Sequence, residues 1–121
     1  MAQHNELGQW GEQLAREYLV THGYKVMEHN AHVGHKEIDI VATRGNRMVF
    51  VEVKTRRENL GEALDAVDAK KIRRLVRAAN SFLQRFNAPW EYQFDIIAVI
   101  GTPQAGHTLH HYPDAFFPPL E

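Results

Sequence analysis

Two stretches decide the fold of this chain: Glu37-Ile38-Asp39-Ile40-Val41-Ala42 and Met48-Val49-Phe50-Val51-Glu52-Val53-Lys54. Both are rich in the branched and aromatic residues that favour β-strands. Gly45 and Asn46 lie between them and suit a two-residue hairpin turn, because both residue types tolerate the positive φ angles found in such turns. The sequence therefore predicts a β-hairpin centred on these two residues.

The register of this hairpin places acidic side chains together. Partners across the turn have residue numbers that sum to 91, so Asp39 is predicted to lie opposite Glu52. Glu37 lies opposite Lys54 in the same way, and side-chain alternation puts all four on one face. Opposed carboxylates repel each other unless a cation lies between them. We therefore expect Asp39, Glu52 and the Val53 carbonyl to bind a hard divalent cation, Mg²⁺ or Mn²⁺.

Lys54 adds a positive charge to the same predicted face, two residues beyond Glu52. An ammonium group there can polarise an attacking water or stabilise charge on a phosphoryl oxygen. Glu37 is expected to support Lys54. The alternative is an ordinary surface of ion pairs such as Glu37–Lys54, each of which contributes little to stability.

Helices are predicted on either side of the hairpin. Apolar residues recur with helical spacing from about residue 6 to 21, and Gly23 ends that segment. A second long helix is predicted from about Leu64 to Phe86, with an apolar stripe on one side. The side opposite this stripe carries Lys70, Arg73, Arg74 and Arg77.

Three further strands complete the predicted sheet: 24–28, a buried strand at 92–100, and an edge strand at 108–112. This order of elements predicts an α/β fold with an α-β-β-β-α-β core, in which helices flank a central mixed sheet. The length suits a single domain over residues 1–121, with its core at about 6–112 and an irregular tail at 113–121.

An acid followed after twelve residues by Glu-x-Lys on a hairpin, downstream of a helix, resembles the PD-(D/E)XK nuclease superfamily. The closer resemblance, over roughly residues 8–100, is to the YraN family of bacterial predicted endonucleases. Lys36 departs from that pattern, since the family tends to have glycine before its Glu-Ile-Asp. The matching residues are Gly11-Glu12, Ala15, Tyr18-Leu19, Gly23-Tyr24, Glu37-Ile38-Asp39, Phe50-Val51-Glu52-Val53-Lys54-Thr55-Arg56, Gly61, Ala66-Val67, Lys70 and Phe94-Asp95-Ile96.

This resemblance implies a restriction-endonuclease-like fold, shared with archaeal Holliday junction resolvases, and a metal-dependent endonuclease. The implied reaction is hydrolysis of nucleic-acid phosphodiester bonds, with DNA favoured over RNA and branched or junction DNA as one candidate substrate. Nucleases that cut both strands often act as dimers, so a homodimer is one alternative by this analogy, and the oligomeric state stays open. The implied catalytic residues are Asp39, Glu52, Lys54 and Glu12, with Thr55 in a supporting role.

Glu12 enters this set through the resemblance, because related nucleases use an acid on the first helix to complete the metal site. Glu17 on the same predicted helix is a weaker contender. The alternative is that Glu12 is a solvated helix residue, since it lies outside the apolar stripe of that helix.

Charge is unevenly distributed along the chain. The net charge is −1, yet eight of the fourteen Lys and Arg residues lie between residues 54 and 77. A locally basic surface can hold a phosphate backbone despite a neutral total, and a solvated basic face is the alternative. The predicted backbone contacts are Arg56, Arg57, Lys70, Arg73, Arg74 and Arg77. Two rival functions remain open: a non-catalytic nucleic-acid-binding module, and an assembly or scaffold protein that uses the aromatic tail with Phe116 and Phe117.

Several other classes of protein are disfavoured. There is no cysteine, which excludes disulfides and zinc thiolate sites. His29, His32 and His35 are interpreted as residues of a mobile loop rather than as zinc ligands, and Asp95 as a structural hydrogen-bonding partner within a strand. No signal peptide or membrane span is visible, so a cytoplasmic protein without a membrane partner is expected.

Overall fold

The fold is built on one five-stranded sheet, seen in a computed structural model that describes residues 6–85 and 91–116. The strands lie in the order of the chain, β3 and β4 pair in parallel, and the other neighbours pair antiparallel. The predicted α/β fold with a mixed sheet and flanking helices is confirmed. The elements are α1 (Glu6–Thr21), β1 (Lys25–Val33), β2 (Lys36–Arg44), β3 (Arg47–Arg56), α2 (Leu60–Asp65), α3 (Ala69–Leu83), β4 (Glu91–Thr102) and β5 (Gly106–Tyr112).

The hairpin of β2 and β3 has the predicted register. Its five backbone pairs all have residue numbers that sum to 91: Ile40↔Val51, Val41↔Phe50, Ala42↔Val49, Thr43↔Met48 and Arg44↔Arg47. Of the two turn residues only Gly45 has a positive φ, at 61°, which a type II′ turn requires at its first central position.

The pairing between β2 and β3 stops before either strand does. The last pair is Ile40↔Val51, whereas β2 continues beside β1 as far as Lys36, and β3 continues beside β4 as far as Arg56. The two strands therefore part just before Asp39 and Glu52. The predicted direct pairs of these acids, and of Glu37 with Lys54, lie beyond the end of the ladder.

The two long helices cover opposite faces of the sheet. Neighbouring residues in a strand point to opposite faces, and Val51 and Phe50 belong to different core clusters. The Val51 cluster contains Ala15 and Leu19 of α1, and the Phe50 cluster contains Leu75 and Phe82 of α3. Both clusters are buried, so the sheet is sandwiched between α1 and α3.

The predicted helix from Leu64 to Phe86 is wrong in extent. The chain forms α2, turns at residues 66–68 and begins α3 at Ala69, while Phe86 lies outside the described residues. Asp68 causes the new start, because its extended backbone and its carboxylate, which accepts the Lys71 N–H at 2.9 Å, make it the N-cap of α3.

The predicted short first strand and the mobile histidine loop after it are also wrong. β1 runs to Val33, so His29 and His32 are strand residues, paired with Ile40 and Glu37. His35 lies in the tight turn to β2. This edge strand has mostly exposed side chains and therefore lacks the apolar alternation of a buried strand, although its backbone pairs regularly.

The remaining elements follow the sequence prediction. α1, β4 and the edge strand β5 lie within two residues of their predicted bounds. Phe116 of the predicted irregular tail packs back on the domain, with its ring stacked 5.0 Å from that of Phe94, whereas Phe117 lies outside the described residues. None of the helices in the described ranges is long and apolar enough to cross a membrane.

Candidate active site

The carboxylate of Asp39 lies where β2 and β3 separate. It replaces a backbone partner of β3, since the Val53 N–H donates to Asp39 Oδ2 at 2.8 Å. In an antiparallel strand the N–H and C=O of one residue point to the same side, so the Val53 carbonyl also faces the gap between β2 and β3. The hydrogen bond thus fixes the Asp39 carboxylate relative to β3, on the side of β3 to which the Val53 carbonyl oxygen also points.

The surroundings of Asp39 favour its protonated form. Burial, followed by the negative charge of Glu52, raises the pKa of Asp39 well above its ordinary value of 3.8. Glu12 raises this pKa further, while the Val53 N–H and Lys71 oppose the shift. Glu52 is only 2% exposed and Glu12 only 6%. Three acids from α1, β2 and β3 are therefore gathered in one poorly solvated place.

Two lysines face the buried carboxylate of Glu52. Lys54 Nζ lies 3.5 Å from Glu52 Oε2, and Lys71 Nζ lies 3.4 Å from the same oxygen. Lys54 was a predicted site residue, but Lys71 was not. The helical spacing could have predicted the position of Lys71, because Lys71 precedes the buried Leu75 by four residues and Ala78 by seven. That spacing puts Lys71 on the core-facing side of α3.

Glu12 reaches the site because α1 packs unusually closely on β3. A Cβ atom at Gly11 would overlap the Thr55 side chain, so only glycine fits there. The buried residues of α1 are Gly11, Glu12, Ala15 and Leu19. The alternative that Glu12 is a solvated residue is therefore wrong, because Glu12 lies on the buried side of α1.

Asn30 is a second residue that the sequence prediction missed. With its amide oriented to suit its neighbours, its nitrogen donates to Glu12 Oε1 at 2.9 Å and to Glu37 Oε1 at 3.1 Å. An asparagine in a polar edge strand carries no sequence signal of this role. Glu37 therefore shares a donor with Glu12, while Lys54 pairs with Glu52.

A sequence profile described as "Uncharacterised protein family UPF0102" matches residues 11–99. The chain belongs to this family, the YraN family. A relative from Bacteroides thetaiotaomicron is 46% identical over 121 residues, which cover 99% of both chains. One from Parabacteroides distasonis is 45% identical over 120 residues and 98% of both chains, and one from Phocaeicola vulgatus is 41% identical over 121 residues and 99% of both. All three are named "UPF0102 protein".

The predicted backbone-contacting cations of this UPF0102 chain lie at the end of β3, just after it, and on α3. The Arg56 guanidinium donates to the Thr55 carbonyl at 2.8 Å. Five other cations are exposed: Arg57, Lys70, Arg73, Arg74 and Arg77. The last four lie on α3, the helix that carries Lys71, so a basic surface adjoins the acidic site.

Two other acids have separate roles in this UPF0102 chain. Glu17 is exposed and accepts from Gln13 at 3.2 Å on the outer side of α1. Asp95 is fully buried and accepts from three donors: Gln93 Nε2 at 2.8 Å, the Asp114 N–H at 2.9 Å and His111 Nε2 at 2.7 Å. The prediction that Asp95 is a structural hydrogen-bonding partner is confirmed.

The donors at the site suit a hard cation that keeps much of its water. Within residues 6–85 and 91–116, no three His, Asp or Glu side chains form a ready-made metal cage. Asp39, Glu52 and the Val53 carbonyl offer oxygen ligands alone, and Mg²⁺ commonly binds through one or two carboxylates plus waters. Burial and the neighbouring acids disfavour the charged form of Asp39 and raise its pKa, and a divalent cation would offset both effects.

Proposed function

We propose that this UPF0102 member is a metal-dependent endonuclease that hydrolyses nucleic-acid phosphodiester bonds, with DNA favoured as substrate and branched or junction DNA as one candidate. The observation that carries the proposal is the placing of Asp39 beside buried Glu52 where β2 and β3 part, with Lys54 3.5 Å from Glu52. Repelling carboxylates beside a lysine are costly for stability alone and useful for phosphoryl chemistry.

In this proposal Asp39, Glu52 and the Val53 carbonyl hold Mg²⁺ or Mn²⁺. When bound, such an ion supplies Lewis-acid stabilisation and a more acidic coordinated water. Lys54 lies at the edge of the acid pair and stabilises negative charge that develops on the phosphoryl oxygens. Lys71, whose Nζ lies 3.4 Å from Glu52 Oε2, places a positive charge beside the buried carboxylate, and Glu12 adds a third acid from α1.

The proposed substrate-binding surface is the exposed basic side of α3, with Lys70, Arg73, Arg74 and Arg77. It is supported by its position on α3, the same helix from which Lys71 contacts Glu52. Contacts to phosphates release counterions, so binding is expected to weaken steeply with salt. A homodimer would present two such surfaces and could cut both strands of a duplex.

A non-catalytic nucleic-acid-binding module is the second candidate, and one observation favours it. Glu52 Oε2 already has two lysine partners, at 3.4 and 3.5 Å, so its charge is compensated without a metal ion. The scaffold alternative gains less support, since Phe116 is stacked on Phe94 within the domain.

A cleavage assay separates these candidates. Branched, nicked, linear and single-stranded DNA, with matched RNA, are incubated with Mg²⁺ or Mn²⁺, and binding to the same substrates is measured in parallel. We expect Lys54→Ala to lower cleavage by roughly 10²–10³-fold with little change in affinity. Lys25→Ala is the matched control, because Lys25 is exposed on β1. If the wild type binds nucleic acid but cuts none of these substrates, the binding module is the correct function.

A further inference from the structure

Asn30 adopts a backbone conformation that is unusual within a strand. Its φ is 51°, in the left-handed region, although it lies inside β1. Left-handed backbone is unfavourable for residues with a Cβ, and asparagine tolerates it better than most. Non-glycine residues held in this way cluster at functional sites, where the surrounding structure holds them in place.

The position of Asn30 in the sheet is equally specific. The pairs His29↔Ile40 and Ala31↔Ile38 flank it, so Asn30 occupies the position of β1 that faces Asp39 of β2. The unusual backbone therefore lies beside the residue at which β2 departs from β3.

The two amide hydrogens of Asn30 serve two acids. The nitrogen donates to Glu12 Oε1 at 2.9 Å and to Glu37 Oε1 at 3.1 Å. Glu12 is 6% exposed, and a buried carboxylate without a donor is costly. A lysine in this place would neutralise the acids, whereas an amide orients both and leaves their negative charge available to a cation.

We propose that Asn30 is a positioning residue of the site, which holds Glu12 and Glu37 so that their charges add to those of Asp39 and Glu52 towards a divalent cation. This role rests on the proposed function, because it requires a cation at the acids. Asparagine is needed for its amide as well as for its backbone, since glycine would tolerate the same φ.

Asn30→Gly tests this distinction, because it keeps the left-handed backbone accessible and removes the amide. Asn59→Gly is the matched control: Asn59 has a φ of 75°, and its side chain caps α2 by accepting the Glu62 N–H. Mn²⁺ is titrated into each protein by calorimetry. We expect Asn30→Gly to bind Mn²⁺ about 10- to 100-fold more weakly than wild type, the effect of losing a residue that orients metal ligands. Asn59→Gly should bind Mn²⁺ as wild type does.

A metal-free measurement tests the contacts directly. The side-chain amide signals of Asn30 are observed by ¹⁵N NMR in wild type, Glu12→Gln and Glu37→Gln, with Glu17→Gln as the control. We expect both site variants to shift these signals and the control to leave them unchanged. Signals that respond to neither site variant would overturn the proposed bridge.

The outcomes separate this role from the proposed function. If wild type binds Mn²⁺ and Asn30→Gly binds it equally well, the positioning role is overturned and the metal site stands. If wild type binds no Mn²⁺, the proposed function fails and the positioning role fails with it.

Discussion

Asp39→Asn removes the negative charge of the acid and keeps the shape of its side chain. The amide oxygen of asparagine can still accept the Val53 N–H, which lies 2.8 Å from Asp39 Oδ2, but the residue cannot ionise. In wild type, burial and the neighbouring Glu52 charge raise the pKa of Asp39 well above 3.8. The folded protein therefore keeps a proton on Asp39 at pH values where the unfolded chain has lost it.

This difference sets the sign of the pH dependence. As the pH rises from about 3.8 towards the raised pKa of the folded state, the folded protein binds more protons than the unfolded chain. The free energy of unfolding consequently falls, by at most about 1.4 kcal/mol per pH unit for one proton. Above the folded-state pKa the loss is complete and no longer changes. Asp39→Asn lacks this loss, so without metal it should be more stable than wild type at neutral pH.

Divalent metal should reverse that order. A cation bound only to the folded state adds about 2.7 kcal/mol at a hundredfold excess over its dissociation constant. Wild type should gain this stability in Mg²⁺ or Mn²⁺, whereas Asp39→Asn, with one ligand weakened, should gain little.

Urea unfolding between pH 4 and 8 measures both effects, first in EDTA and then with added Mg²⁺. Asp65→Asn is the control, because Asp65 is exposed on α2. Parallel pH profiles for wild type and Asp39→Asn would refute the electrostatic reasoning. Equal responses of these two proteins to metal would refute the site.

Three further predictions test the surroundings of the acids. Gly11→Ala should destabilise the fold by about 1–3 kcal/mol in urea unfolding, because the added methyl group would overlap the Thr55 side chain. Gly61→Ala is its control and should have a smaller effect, because the nearest neighbour of a Cβ atom there is 3.5 Å away. Lys71→Met removes a cation 3.4 Å from Glu52 and should reduce cleavage at saturating substrate by roughly 10²-fold, whereas Lys70→Met on the exposed side should not. Neutralising the exposed arginines of α3 should weaken nucleic-acid binding and lower its salt dependence by about one unit for each lost phosphate contact, and an unchanged salt slope would contradict the proposed surface. These arginines are Arg73, Arg74 and Arg77.

The sequence was most informative where local rules determine geometry. A glycine in a two-residue turn fixes the pairing of the strands around it, and the period of two then assigns each side chain to a face. These rules predicted the register that brings Asp39 next to Glu52. The cap of α3 was equally local, since Asp68 has the chemistry of an N-cap, but the continuous helical periodicity around it concealed the break.

The missed features depend on contacts between distant parts of the chain. Asn30 acts on Glu12 and Glu37 only once α1, β1 and β2 are assembled. Lys71 looks like one more cation of a basic helix until α3 packs with Leu75 against the sheet. Spacing along one helix could have singled out Lys71, whereas no rule within one strand identifies Asn30.

The separation of β2 from β3 has a mechanical consequence. α1 and α3 are held by two hydrophobic clusters on opposite sides of the sheet, yet Glu12 and Lys71 meet around Asp39 and Glu52. A ligand bound at this opening would therefore link the α1 layer to the α3 layer, which otherwise pack on separate hydrophobic clusters. Local opening of either layer would release the ligand. The protection of backbone amides from hydrogen exchange should therefore increase in both α1 and α3 when the site is occupied and decrease in both when it is empty.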